Sequence, residues 1–267
     1  MPSCKNILKK TVVTLSLIVA LSLAAYPQGS STRNRAFFVK CGAKSNPCLI
    51  KNRKDLEKFR DKVNKGKSFK DHYFLQTSDI DLQNAAWIPV GISDSKKYFH
   101  GTYDGNGHVI RNLNVSFPSG TVGLFGVLSG TVRNLGIESG TIAGDRAGSV
   151  AGRSDGDKAA LINCYNKANV TGKSRAGGIA DDFSGGTIVN CVNAGKVEAP
   201  VRGEIVSYDA ANIIAVHSEN PAFPKTFTGG YIEYNSSKTT VTDKLNDGIF
   251  RLISEKVVDR SAVKKWR

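Results

Sequence analysis

Four short apolar runs, each ending in asparagine, constrain this chain more than any other feature. They are Val109-Ile110-Arg111-Asn112-Leu113, Val132-Arg133-Asn134-Leu135, Leu161-Ile162-Asn163-Cys164 and Ile188-Val189-Asn190-Cys191, with the asparagines 22, 29 and 27 residues apart. Between them runs a second, Gly-rich pattern: Val122-Gly123-Leu124-Phe125-Gly126, Gly148-Ser149-Val150-Ala151-Gly152, Gly177-Gly178-Ile179-Ala180-Asp181 and a weaker Gly203-Glu204-Ile205-Val206-Ser207. Its last positions, 126, 152, 181 and 207, are 26, 29 and 26 residues apart. A unit of this length, with two short strands and tight turns, cannot bury its apolar face alone. It must stack on copies of itself, which predicts a solenoid. Uneven spacing fits, because insertions fall in loops while the strands keep register.

Stacking places equivalent side chains about 4.8 Å apart on successive coils. On the alignment by asparagine, Ile110, Val132, Leu161 and Ile188 face inward at one position, and Leu113, Leu135, Cys164 and Cys191 at another. Asn112, Asn134, Asn163 and Asn190 then form a side-chain amide ladder that also satisfies turn backbone. Cys164 and Cys191 replace leucines on neighbouring coils. The stacking distance lies within the range a disulfide accepts, so they are either bridged or two buried thiols. A reactive cysteine does not fit an apolar stack.

The first 24 residues read as a secretory signal. Lys5, Lys9 and Lys10 precede an uncharged apolar run, Thr11 to Leu23, and Ser22-Leu23-Ala24 offers a cleavage site. An uncleaved anchor is the alternative, although the run is short for a membrane span. Loss of those three lysines leaves +11 of the formal charge of +14. A cationic exported protein is drawn to anionic glycans, cell-wall polymers or a host surface protein. The basic residues are neither dense enough nor interleaved with aromatics, so no specific nucleic-acid site is expected. Export favours disulfides among Cys41, Cys48, Cys164 and Cys191. Cys41 to Cys48 encloses a turn-rich loop that a local bridge could close.

Residues 25–47 read as a flexible leader and that loop, 48–242 as the solenoid, and 243–267 as a C-terminal cap. Asn52 to Gly66 is predicted as a helix with Leu56, Phe59 and Val63 on one face. Asp243 to Lys256 is predicted as another, with Leu245, Ile249, Leu252 and Ile253. Both are assigned to covering the ends of the stack, where core and strand edges would otherwise be open. Further strands are expected at Ala211–Val216 and Tyr231–Tyr234.

Ser78-Asp-Ile-Asp-Leu82, Trp87-Ile-Pro-Val-Gly91, the run from Phe99 through Asp104-Gly105-Asn106-Gly107 to Ile110, Gly123-Leu-Phe-Gly126 and the two Asn-Cys repeats together resemble the GLUG-motif proteins. These are bacterial secreted and surface proteins that include adhesin-like repeats and regions of IgA-specific metallopeptidases. The likeness covers roughly residues 50–235. It implies an all-β fold, a right-handed parallel β-helix, to which the two helices expected above would add short caps near both ends. It implies no catalytic residue within the motif itself.

The four histidines, His72, His100, His108 and His217, form no His-Glu-x-x-His stretch, and no Gly-x-Ser-x-Gly is present. The parallel β-helix also hosts polysaccharide lyases and hydrolases. Asp155 and Asp157 in one turn, with Asp181 and Asp182 one coil later, are the carboxylates such an enzyme could use. The reading is a non-enzymatic, secreted or surface-associated binding or adhesion module, monomeric and without a cofactor; a polysaccharide lyase or glycoside hydrolase is the alternative. Function is expected in the loops that do not repeat, at 93–98, 153–159, 181–186 and 200–203. A groove gathering Asp, Arg and Lys from neighbouring coils would favour the enzyme, and exposed aromatics there would favour glycan binding.

Overall fold

The computed structural model describes residues 38, 40–92, 96–208, 212–214, 217–218, 246 and 263–264. The signal-like residues 1–24, the leader to 36 and the strand expected at Tyr231–Tyr234 lie outside these. So does the C-terminal helix expected over 243–256, apart from Asn246. The described residues from Cys41 onward belong to one compact unit, distinct from residues 1–40.

That unit is a parallel β-solenoid, as the repeat requires. Face 1 stacks seven strands: Cys48–Ile50, Tyr73–Gln76, Thr102–Asp104, Thr131–Arg133, Ala160–Ile162, Thr187–Val189 and Asn212–Ile214. Face 2 stacks Ile80–Asp81, Val109–Arg111, Gly136–Ile137, Tyr165–Asn166, Val192–Asn193 and His217–Ser218. Face 3 centres on the long strands Gly140–Gly148 and Asn169–Gly177, flanked by Leu113–Ser116 and Thr121–Val122 before them and by Val197–Glu198 and Val201–Gly203 after. Face 4 stacks Phe125–Leu128, Ala151–Ser154, Ala180–Asp182 and Val206–Tyr208.

The core consists of columns. Phe74, Tyr103, Val132, Leu161 and Ile188 are in register on face 1, and all are fully buried. Val115, Ile142, Val170 and Val197 are likewise in register on face 3, and all are buried. Each full burial of such a side chain contributes about 1.5–3 kcal/mol, so the stack is held by many equal increments. On face 2, Ile80, Ile110 and Ile137 give way to Asn166 and Asn193. The two amides bond each other (Asn166 Nδ2 to Asn193 Oδ1, 2.8 Å), a second ladder the sequence reading did not assign.

Register corrects the alignment by asparagine. Asn134, Asn163 and Asn190 follow successive strands of face 1, and each Nδ2 donates to the preceding Oδ1, at 2.8 Å for 163 to 134 and 3.0 Å for 190 to 163. Asn112 instead follows the Val109–Arg111 strand of face 2. It donates to Asp81 at 2.8 Å and accepts from Ser139. Asp104 takes the first rung, accepting from Asn134 Nδ2 at 2.9 Å. Likewise Tyr103, not Ile110, precedes Val132, and Leu113 pairs with Gly140 on face 3. All four asparagines share a positive φ between 51° and 55°. Asparagine tolerates that conformation better than other side-chain-bearing residues, so the sequence repeats Asn at two different corners for one backbone reason.

Cys41 and Cys48 form a disulfide, with Cα atoms 4.9 Å apart. Cys164 and Cys191 are buried free thiols. Helix α1, Arg53–Asn64, covers the N-terminal end of the stack. Asn52 caps it by accepting from the Asp55 amide, and Asn64 accepts from the Gly91 amide and donates to the Pro89 carbonyl. Its Phe59 plugs the first coils, within ring contact of Phe69, Phe74, Phe99, Tyr103 and Phe125. Far along the chain, Lys264 returns to the asparagine ladder. Its amide donates to Asn134 Oδ1 (2.8 Å) and its carbonyl accepts from Asn163 Nδ2 (3.0 Å).

Candidate functional site

Most polar side chains of the stack close on a neighbour. Asp104 pairs with the Arg133 Nε (3.0 Å) and accepts from the Tyr73 hydroxyl. Asp79 holds Arg111 (3.0 Å) and His108 (3.2 Å), and Tyr165 donates to Glu138. One region differs: the inside corner where the end of face 3 meets face 4.

Register builds this corner. Thr121, Arg146, Arg175 and Val201 occupy one column at the end of face 3. Across the bend, the face 4 register aligns Gly126, Gly152, Asp181 and Ser207 as a floor, and Val127, Arg153, Asp182 and Tyr208 beyond it. The two glycines let the walls approach. A Cβ on Gly152 would lie 2.7 Å from Thr121 Cγ2 and from the Gly126 carbonyl, and one on Gly126 would lie 2.5 Å from the Gly91 carbonyl. At the upper end the corner opens into a depression of about 50 Å³ lined by Pro89, Ile92, Phe117, Ser119 and Thr121.

Lower down, Asp181 fills the floor. It is fully buried, bonded through Oδ2 to Arg175 Nη2 (3.1 Å) and through Oδ1 to the Ser207 hydroxyl (2.5 Å). Burial pushes its carboxyl above the usual carboxylate range, against the pull of Ser207, Arg175 and Arg146. Arg175 also reaches Asp182 (3.6 Å) and lies 4.8 Å over the ring of Tyr208, which is 51 % exposed. Arg153 lies 5.9 Å over the Tyr98 ring and donates to its hydroxyl (3.4 Å). The side chain of Arg146 makes no hydrogen bond or salt bridge among the described residues, and its Nε is buried. Arg146, Arg153 and Arg175 thus share the corner with Asp181 and Asp182, and two tyrosines border it.

The carboxylates singled out from sequence separate into two groups. Asp181 and Asp182 belong to the corner. Asp155 accepts from Ser129 (3.0 Å) and Asp157 is exposed, both in the turn beyond the Ala151–Ser154 strand. No hydrogen bond or ion pair among the described residues joins the two groups. Nor do the described residues hold a cluster of three or more metal-ligating side chains, or a helix long and apolar enough to cross a membrane. The arginines and tyrosines of the corner were missed by sequence reasoning. Arg146-Ala147-Gly148 and Arg175-Ala176-Gly177 were the available signal, a tripeptide repeated one coil apart.

No protein-family model matches the chain. Among curated proteins it is similar to halomucin of Haloquadratum walsbyi (strain DSM 16790 / HBSQ001), 28 % identical over 172 residues. That match takes in 59 % of this chain and 2 % of halomucin, so the chain spans a small part of that relative. Among solved structures it is similar to a candidate immunoglobulin A1 protease from Bacteroides ovatus, with 25 % identity, a TM-score of 0.47, and 66 % of each chain covered.

Proposed function

We propose that the chain is a secreted or surface-associated β-solenoid of GLUG type that binds glycans through the inside corner between faces 3 and 4. The observation that carries this reading is the surplus of arginine there, bordered by Tyr98 and the half-exposed Tyr208. A solenoid holds such groups on rigid strands, so binding a polymer laid along the stack orders little protein. Guanidinium forks suit carboxylate and sulfate, and tyrosine faces suit the apolar side of a sugar ring. The formal charge of +11 left once residues 1–24 are removed, from +14 for the whole chain, adds long-range attraction to anionic polymers.

A glycan array with residues 25–267, read at low and at physiological salt, tests the reading. Binding to anionic glycans that weakens with salt is expected; a blank array at low salt contradicts it. The convergence of arginine with Asp181 and Asp182 also favours the alternative, a polysaccharide lyase or glycoside hydrolase. Both oxygens of Asp181 are already engaged, so binding without turnover is the primary reading. Release of reducing ends or unsaturated products from a bound polysaccharide would replace it with the enzyme.

A further inference from the structure

Arg146 and Arg175 stand in register on neighbouring coils, and the corner offers each of them a floor position. For Arg175 that position is Asp181, whose carboxylate meets the guanidinium at 3.1 Å. For Arg146 the equivalent position is Gly152, which has no side chain to offer. The consequence is visible in what stays unsatisfied. Nε is buried without a partner in both arginines, but Arg175 is held through Nη2, whereas no side-chain atom of Arg146 has a hydrogen-bond or ion-pair partner among the described residues. The hydroxyl of Thr121, the next residue of the same column and only 5 % exposed, is unpaired too. Native proteins rarely leave such groups unpaired, and an unpaired pair at one place marks a position for a group from outside. Arg175 is engaged through Nη2 by the protein's own aspartate, whereas Arg146 stands at the matching position without one.

Resting on the glycan-binding reading above, we propose that Arg146 and Thr121 form a subsite for the carboxylate of an acidic sugar. That carboxylate stands on Arg146 as the Asp181 carboxylate stands on Arg175, and the Thr121 hydroxyl donates to it. The charge balance agrees: Arg146, Arg153 and Arg175 outnumber Asp181 and Asp182 by one, and one ligand carboxylate closes the difference. The floor at Gly152 is tight, so the carboxylate enters from the open upper side, where Thr121 borders the depression lined by Pro89, Ile92 and Phe117. A sugar ring lies there against apolar surface while its carboxylate reaches down to the guanidinium.

The test is titration calorimetry of residues 25–267 with oligogalacturonate and with its methyl ester. The unmodified chain should bind the free acid at least tenfold more tightly than the ester. Arg146→Gln should lose at least tenfold in affinity for the acid and leave affinity for the ester unchanged. Thr121→Val, nearly isosteric, should lose about two- to fivefold. Lys173→Ala, an exposed charge change on the same strand as Arg175, should change affinity less than twofold. Thermal midpoints measured alongside confirm that the variants are folded. If Arg146→Gln binds the acid as the unmodified chain does, or loses no more than Lys173→Ala, the subsite is wrong while glycan binding stands. If the unmodified chain binds neither acid nor ester but binds other glycans on the array, the carboxylate assignment alone is overturned. If it binds no glycan at all, both readings fail.

Discussion

Asn163 shows how one residue type serves two demands. Its amide bonds the rungs above and below, and its backbone takes a φ of 55°. Replacing it separates the two. Asn163→Gly should lose the rungs but keep the backbone, at about 1–3 kcal/mol for the buried partners left unpaired. Asn163→Ala should cost about 1–2 kcal/mol more, for a side chain held left-handed. Chemical denaturation of the two variants measures the difference, and equal losses would contradict the account. Asn112→Gly, at a half-buried rung of another face, should cost less than either. The 22-residue step from Asn112 to Asn134, shorter than the 27 and 29 that follow, was the sign in the sequence that Asn112 belongs elsewhere. It was hidden because the same Asn-after-apolar pattern meets the same φ requirement at both corners. Cys164 and Cys191 were legible as core, but spacing alone could not choose between bridge and thiols. Burial pushes the Cys191 thiol up in pKa, and Cys164 is just as inaccessible, so both should resist a thiol reagent at pH 8 until the protein is unfolded, and immediate labelling would contradict that.

At the scale of elements, the N-terminal helix was legible in full: Asn52 as cap, with Leu56, Phe59 and Val63 at helical spacing. What the sequence could not show is that Phe59 enters the solenoid rather than lying over it. Phe59→Ala should destabilise the protein by about 3–5 kcal/mol, as expected for a fully buried aromatic, whereas Asn52→Ala should cost about 1 kcal/mol. Denaturant midpoints that move equally for both would contradict this role. The network behind the ladder adds a pH test. Burial and the hydrogen bond to Asp104 push the Tyr73 hydroxyl up to about 12, against the opposing pull of Arg133. Its raised pKa gives stability that is complete below the unfolded value near 10 and is lost as pH rises through about 12. Tyr73→Phe should therefore flatten the fall in stability between pH 10 and 12, and an unchanged slope would contradict it.

For the whole molecule, the solenoid follows from the repeat because stacking admits few other solutions, and the Gly-run register of 126, 152, 181 and 207 survives unaltered in face 4. The corner was only partly legible. Asp181 and Asp182 stood out as acids, but the groups that give the site its character are outward arginines and tyrosines brought together by register across a bend. A sequence reading that follows inward residues passes over them, since outward positions of a solenoid need not repeat. Their convergence appears only when two faces are placed side by side. The central claim is that this corner is where the molecule meets its partner. Amide chemical-shift mapping on titration of residues 25–267 with oligogalacturonate tests it most directly. The account predicts that the largest shifts fall at Thr121, Gly126, Arg146, Gly152, Arg175 and Asp181. Shifts confined to the other faces or to the turn at Asp155–Asp157, or no shifts at all, would contradict it.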